Sequence, residues 1–294
     1  MNSDVLFELP VPRWDGPFAP DMQAASLTAL EAGRVIVFPD LHFTLEDEER
    51  RLLSASAADD TRKNISFDPT TGIAHGTAVV GTDMTRLVSM LERFGRQAET
   101  LVRGLIPRYA PDLERARTSF RPTEIAGRAA VARKDDKRLH VDAFPTRPMR
   151  GRRILRVFTN IAPDGTPRVW RVGEPFPDFA AKFLPQVRPG VPGQGWIMAR
   201  LGLTKGRRAP YDFLMLGLHD AGKMDSTYQA QAPATEVIFP PGTTWLCFSD
   251  SVLHAATAGR YALEQTFHIP VEAMASPELA PLRVLEALAG RKLA

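Results

Sequence analysis

Residues 138–145 read R-L-H-V-D-A-F-P, with His140 and Asp142 two positions apart among apolar and basic neighbours. Side chains at i and i+2 of an extended segment project to the same side, so an imidazole and a carboxylate can converge on one point. H-x-D is a common pattern, and its meaning depends on a third ligand. His254 is the best candidate, in P-P-G-T-T-W-L-C-F-S-D-S-V-L-H-A-A. There a Pro-Gly turn, a strand and a short polar S-D-S turn precede the histidine.

Two neutral imidazoles and one carboxylate can cap one face of an octahedral ion, the donor set suited to non-haem Fe(II) with its other positions open. A closed structural zinc site would call for more Cys or His at short spacing. The spacing of an early H-x-D and a late His predicts an α+β fold with a double-stranded β-helix (jelly-roll) core. The open face can take a bidentate cosubstrate together with O2, and a 2-oxoglutarate cosubstrate would need a cation for its distal carboxylate. In R-I-L-R-V-F-T-N-I, strand alternation places Ile154, Arg156, Phe158 and Asn160 on one face. A cation in an otherwise apolar strand is costly to bury without an anion. Arg156 is therefore the first choice for cosubstrate binding, with Asn160 beside it. Arg260 is the runner-up, and Gln265, 11 residues beyond His254, is a polar neighbour without charge.

The net charge is only +3, yet 13 arginines and two lysines against five carboxylates fall between Arg115 and Arg171. Such a block can be a solvated face, or it can draw an anionic substrate, a nucleic acid or an anionic membrane surface. Sparse aromatics within it argue against single-stranded nucleic acid. A-G-R-A-A-V-A-R-K-D-D-K-R leads into the H-x-D pair, making Arg128, Arg133 and Lys134 candidate substrate contacts. L-H-D-A-G-K-M-D-S gathers His219, Asp220, Lys223 and Asp225. It reads as a polar or substrate-facing helix face, with Lys223 a further candidate, and its H-D pair leaves a metal-dependent hydrolase open. His75 reads as structural, and His268 as core or rim.

The elements that position these residues divide the chain in two. Up to about residue 115 the pattern is helical, with one apolar strand at V-I-V-F-P. A first helix ends at Gly33, and a second starts at Thr44 as N-cap. A third, long amphipathic stretch runs from Asp83 toward Pro107, continuous or broken near Gly95. From about 116 to 272 short β-like pieces dominate, with helical insertions near 176–184 and 209–226, and a helix closes the chain at about 277–292. No segment marks a domain boundary, so one domain is expected over 1–294. Composition, 44% hydrophobic and 24% charged, is that of a globular protein. The lone Cys247 excludes an internal disulfide. With neither a signal peptide nor a membrane span recognisable, a cytoplasmic location is expected.

Three stretches carry a resemblance: K-D-D-K-R-L-H-V-D-A-F-P, then R-R-I-L-R-V-F-T-N-I with R-V-W-R-V-G-E-P-F, and F-S-D-S-V-L-H-A-A. The chain resembles the Kdo hydroxylase family of Fe(II)/2-oxoglutarate dioxygenases over nearly its whole length. That family hydroxylates C3 of a Kdo (3-deoxy-D-manno-oct-2-ulosonic acid) sugar on Kdo-lipid A, giving Ko in lipopolysaccharide. The resemblance implies His140, Asp142 and His254 as iron ligands and an anionic glycolipid as partner. It is consistent with peripheral contact on the cytoplasmic face of the inner membrane and with no nucleic acid. Two other functions share most of these features: a 2-oxoglutarate dioxygenase for another anionic substrate, and a non-catalytic jelly-roll module that binds acidic glycans.

Overall fold

A computed structural model describes residues 4–59 and 64–294. The strands are β1 (Leu6–Glu8), β2 (Val35–Phe38), β3 (Ile65–Asp68), β4 (Ile73–His75), β5 (Glu114–Arg121), β6 (Arg153–Asn160), β7 (Arg168–Val172), β8 (Thr235–Phe239), β9 (Thr244–Phe248), β10 (His254–Ala258) and β11 (Ala262–Ile269). The helices are α1 (Pro20–Glu31), α2 (Gly81–Leu105), α3 (Phe176–Phe183), α4 (Gln194–Arg200), α5 (Pro210–Met224), α6 (Ser226–Gln231) and α7 (Pro281–Ala289). One sheet has eight strands in the order β1-β2-β9-β6-β11-β5-β3-β4, and a smaller one has the order β10-β7-β8. The β1–β2 pair is parallel, whereas the central pairs β9–β6, β6–β11 and β11–β5 are antiparallel.

Period-two alternation gives the large sheet two different faces. Leu155, Val157, Leu246, Phe248, Leu263 and Phe267 point to one side and pack against the apolar stripe of α2, which includes Leu87, Leu91, Phe94 and Leu101. Arg156, Phe158, Trp245 and Glu264 occupy the alternate positions. On that side Phe158, Trp245, Trp170 and Phe239 join the two sheets. Trp245 stacks on Phe239 with ring centroids 4.0 Å apart, and on Phe158 at 5.3 Å. A third cluster, built on Phe179, Phe183, Tyr211, Leu218 and Leu285, unites α3, α5 and α7.

Several expectations change. The first 113 residues contribute four strands to the large sheet, because three of these are only three or four residues long and too short to show alternation. No α-helix starts at Thr44. A 3₁₀ turn runs Asp47–Leu52, capped by Glu46, and buried Glu49 accepts from the Glu46 amide at 2.9 Å. Arg93 also reaches Glu49 and holds the turn against α2. Helix α2 runs unbroken through Gly95. A Cβ there would fall 2.1 Å from the Arg115 guanidinium and 2.7 Å from Gln265 Oε1, so the glycine lets helix and sheet approach closely. His75 sits on the exposed edge strand β4. Cys247 is buried in β9, where burial pushes its thiol well above the usual range.

The S-D-S turn before His254 is held from below. Arg153 and Asp250 are both about 1% exposed and pair at 2.8 Å. Arg153 also donates to Ser251 Oγ at 2.8 Å and lies 3.8 Å from the Phe248 ring centroid. Removing one partner of such a pair strands the other charge, so Asp250→Ala should lower the unfolding free energy by about 3–5 kcal/mol. Urea denaturation of the two proteins measures it, and an unchanged midpoint would show that the pair does not secure this turn.

Candidate metal centre

His140, Asp142 and His254 come together. Ligand-capable atoms of all three lie within 4.8 Å of one another, the only such group of three or more found among the described residues. The H-x-D segment is not a regular strand. It is extended chain stitched to the start of β10 by one bridge, His140 N to His254 O at 3.0 Å and His254 N to His140 O at 2.9 Å. Asp142 N donates to Ser249 O at 2.8 Å, and Gln229 of α6 bonds both the amide and the carbonyl of Leu139.

Backbone contacts also set the histidine tautomers. His140 Nδ1 lies 2.8 Å from Arg138 O, and His254 Nδ1 lies 2.8 Å from Val252 O. A carbonyl only accepts, so each Nδ1 carries the hydrogen and each Nε2 keeps its lone pair for a ligand. Burial is the main cause holding both imidazoles below their ordinary pKa; for His140, His254 and Lys223 add to it. They are neutral at neutral pH, the form that binds metal. Burial would raise the Asp142 carboxyl, but it is outweighed, chiefly by Arg156, and the group stays well below the usual carboxylate range. Donor set, tautomers and charge state fit a divalent ion of the Fe(II) type.

Arg156 lies in this cavity, with Nε 3.2 Å from Asp142 Oδ2 and Nη1 2.7 Å from Glu264 Oε1. Glu264 is shared with Arg121 at 2.5 Å. The cavity, about 160 Å³, is also lined by Asp136, Arg168 and Trp170. Trp170 stacks on His254 with centroids 5.0 Å apart. Arg168 is 3% exposed, and among the described residues its polar contact is a carbonyl, Gly259 O at 3.2 Å, with no carboxylate paired to it. Burial, then the neighbouring Arg121, pull its pKa down to about 9, so it stays cationic at neutral pH.

Other candidates lie elsewhere. Asn160 is buried, but its side chain bonds Thr166 O, Phe239 O and the Ala162 amide, tying together loops at the strand end. Gln265 is on the opposite face of β11 from Glu264 and bonds Thr118 on the α2 side. Arg260 is at the surface, paired with Asp164. These three do not line the cavity, because strand parity or chain position turns them away. Arg128 reaches its wall through Asp136 at 3.1 Å. Arg133 is exposed and pairs with Asp220 at 3.2 Å, and Lys134 is exposed beside it. Lys223 is buried behind the histidines, its charge disfavouring their protonation. His219 bonds Asp220 and meets the His140 ring edge-on at 5.4 Å, outside the three-residue cluster.

Arg121, Arg168 and Trp170 were missed by the sequence reading. The available signal was alternation in R-V-W-R-V, where Arg168, Trp170 and Val172 are buried together. Beside this site a second cavity, about 270 Å³, shares Arg156 and is also lined by Glu264, Arg117, Arg147, Lys205 and His268.

The structure thus defines an α+β protein with a two-histidine, one-carboxylate centre between a large sheet and a smaller one. The family model for 3-deoxy-D-manno-oct-2-ulosonic acid (Kdo) hydroxylase matches residues 13–292, and the chain belongs to that family. Crystal structures of the Kdo hydroxylase KdoO, described as a non-haem Fe(II) α-ketoglutarate-dependent dioxygenase, align over nearly its full length. The complex with α-ketoglutarate and Fe(III) is 43% identical, covers 99% of this chain and 97% of its own, and has a TM-score of 0.95. The cobalt(II) complex is 44% identical, with coverages of 98% and 97% and a TM-score of 0.95. A search of curated proteins gave no significant match.

The buried imidazoles make stability pH-dependent. Burial holds His268 down at about 4, with Glu114 opposing, whereas an unfolded histidine titrates near 6.5. Above pH ~6.5 neither state binds the proton, and between ~6.5 and ~4 only the unfolded chain does. Stability of the metal-free protein should therefore fall over that window as pH drops, less steeply in His268→Gln. Urea midpoints at pH 7.5 and 5 check this, and equal midpoints would contradict it.

Proposed function

We propose that this chain hydroxylates C3 of a Kdo sugar on Kdo-lipid A, giving Ko, with His140, Asp142 and His254 as the ligands of Fe(II). The observation that carries the reading is the pair of Nδ1-to-carbonyl hydrogen bonds, which leaves two neutral Nε2 donors beside an ionised carboxylate. The two sheets are read as the walls of a double-stranded β-helix, and membrane contact as peripheral on a cytoplasmic enzyme. Among the described residues no helix is long and apolar enough to cross a membrane.

A bound Fe(II) supplies the redox chemistry, in which O2 and 2-oxoglutarate become succinate and CO2 while a sugar C–H becomes C–OH. The protein's residues orient and insulate. Arg156 holds the second oxygen of Asp142, so that Oδ1 faces the histidines, and Glu264 balances the remaining charge. Trp170 fixes the His254 ring plane and, with Phe158, keeps water from that side. Arg168, a buried cation with no carboxylate partner among the described residues, is the anchor for the distal carboxylate of 2-oxoglutarate, the role first given to Arg156. The cations around the second cavity suit a sugar acid or phosphate.

Mass spectrometry of Kdo-lipid A incubated with Fe(II), 2-oxoglutarate and O2 tests the reaction. One added oxygen at C3 with stoichiometric succinate is expected, and succinate without sugar oxidation would refute the substrate. The anchor has its own prediction. Arg168→Leu should weaken 2-oxoglutarate binding by about 10–100-fold, roughly the loss of one charge-assisted bidentate pair, while sparing metal affinity. Arg156→Leu should weaken the metal itself. Calorimetric titrations of metal and cosubstrate distinguish the two, and the reverse pattern would return the anchor to Arg156.

A further inference from the structure

The stretch from Leu184 to Tyr211 contains Arg188, Arg200, Lys205, Arg207 and Arg208 and no Asp or Glu. Among the described residues none of these five cations pairs with a carboxylate. The same stretch carries a dense group of exposed large apolar side chains. Val191, Trp196, Ile197, Leu201 and Leu203 are between 52% and 69% exposed. Ile197 and Leu201 are one turn apart, and Arg200 lies 5.7 Å over the Trp196 ring. Helix α4 is fixed with these residues outward by Gly195, where a Cβ would come 2.3 Å from Arg208 O.

An apolar group of this size on a solvent-exposed face marks a contact surface, and the five cations of the same stretch, with no carboxylate partner among the described residues, select an anionic one. Beside it a notch of about 320 Å³ is lined by Val191, Trp196, Arg207, Arg208, Phe213 and Arg291. Three arginines there line it together with apolar residues, Arg208 lying 5.3 Å over the Phe213 ring and donating to Pro145 O, a setting that suits a phosphate attached to a hydrocarbon.

We propose that residues 188–208 form a docking surface for an anionic phospholipid membrane, with Trp196, Ile197, Leu201 and Leu203 entering the headgroup–acyl boundary and Arg207, Arg208 and Arg291 meeting headgroup phosphates. The surface adjoins the candidate catalytic region. Lys205 N donates to Thr146 O at 2.7 Å, and Lys205 lines the 270 Å³ cavity with Arg117, Arg147 and Arg156. A membrane-borne substrate would meet that cavity from the docked side. This last relation rests on the glycolipid reading above, whereas docking itself does not.

Co-sedimentation of the full chain with phosphatidylglycerol-rich vesicles and with pure phosphatidylcholine vesicles is the test, and it requires neither iron nor turnover. Binding to the anionic vesicles that weakens with salt is expected. The triple variant W196S/I197S/L201S should lower that affinity about tenfold or more with an unchanged circular dichroism spectrum. Arg207→Gln with Arg291→Gln should remove most of the preference for anionic lipid. Failure of the wild-type chain to bind anionic vesicles, or equal binding by the triple variant, would overturn the proposal. So would self-association abolished by the triple variant without vesicle binding, which would assign the face to a second copy. Vesicle binding with no hydroxylation of Kdo-lipid A would leave docking standing and sink the substrate reading instead.

Discussion

A guanidinium taken out of water must be met by an anion, and three are buried near the site: Arg156 and Arg168 line the cleft between the two sheets, and Arg153 lies on the opposite face of β6 over Phe248. Each is met differently. Arg153 binds Asp250 and sets the turn that delivers His254. Arg156 lies between Asp142 and Glu264, coupling a candidate ligand to the centre of the large sheet. Among the described residues Arg168 bonds a carbonyl and no carboxylate. The two carboxylate-paired cations build the site, and the third leaves room for an anion from outside.

The same constraint explains how the basic block of sequence is spent. Part of it is structural: Arg115 pairs with Glu92, Arg152 with Glu114 and Arg153 with Asp250. Part lines the cavities, through Arg117, Arg121, Arg147, Arg156 and Arg168. A net charge of +3 conceals both uses. In β5, Arg117 and Arg121 share the cavity face while Thr118 and Phe120 turn toward α2, and a register shift between Thr118 and Arg115 places Arg115 on the α2 side beside Glu92.

Much of the site was legible because a common H-x-D pair gained meaning from a third histidine placed after a turn, a strand and a second turn. His140, Asp142 and His254 could be named from residue type and context, and β6, β9 and β11 as short β-like runs set off by Pro, Gly and Asp. The partners of the cations were less legible. Glu264 and Arg168 are ordinary residues in ordinary strands until register sets Glu264 opposite Phe158 and next to Arg156. Gln265 shows the cost of a single position, since one step along β11 moves a side chain from the cavity to the helix layer. Short elements such as β3, β4 and α4 fell below the length at which periodicity carries information. The apolar face around α4 became visible only once its exposure was known.

The central claim is that two backbone-oriented imidazoles and an arginine-held carboxylate form one Fe(II) site which then accepts 2-oxoglutarate. Anaerobic titration of the metal-free protein with Fe(II) and 2-oxoglutarate, followed by visible absorption, tests this most directly. The account predicts a metal-to-ligand charge-transfer band that saturates at one iron per chain and is lost in Asp142→Ala. A protein that develops no such band, or keeps it undiminished without Asp142, would contradict it.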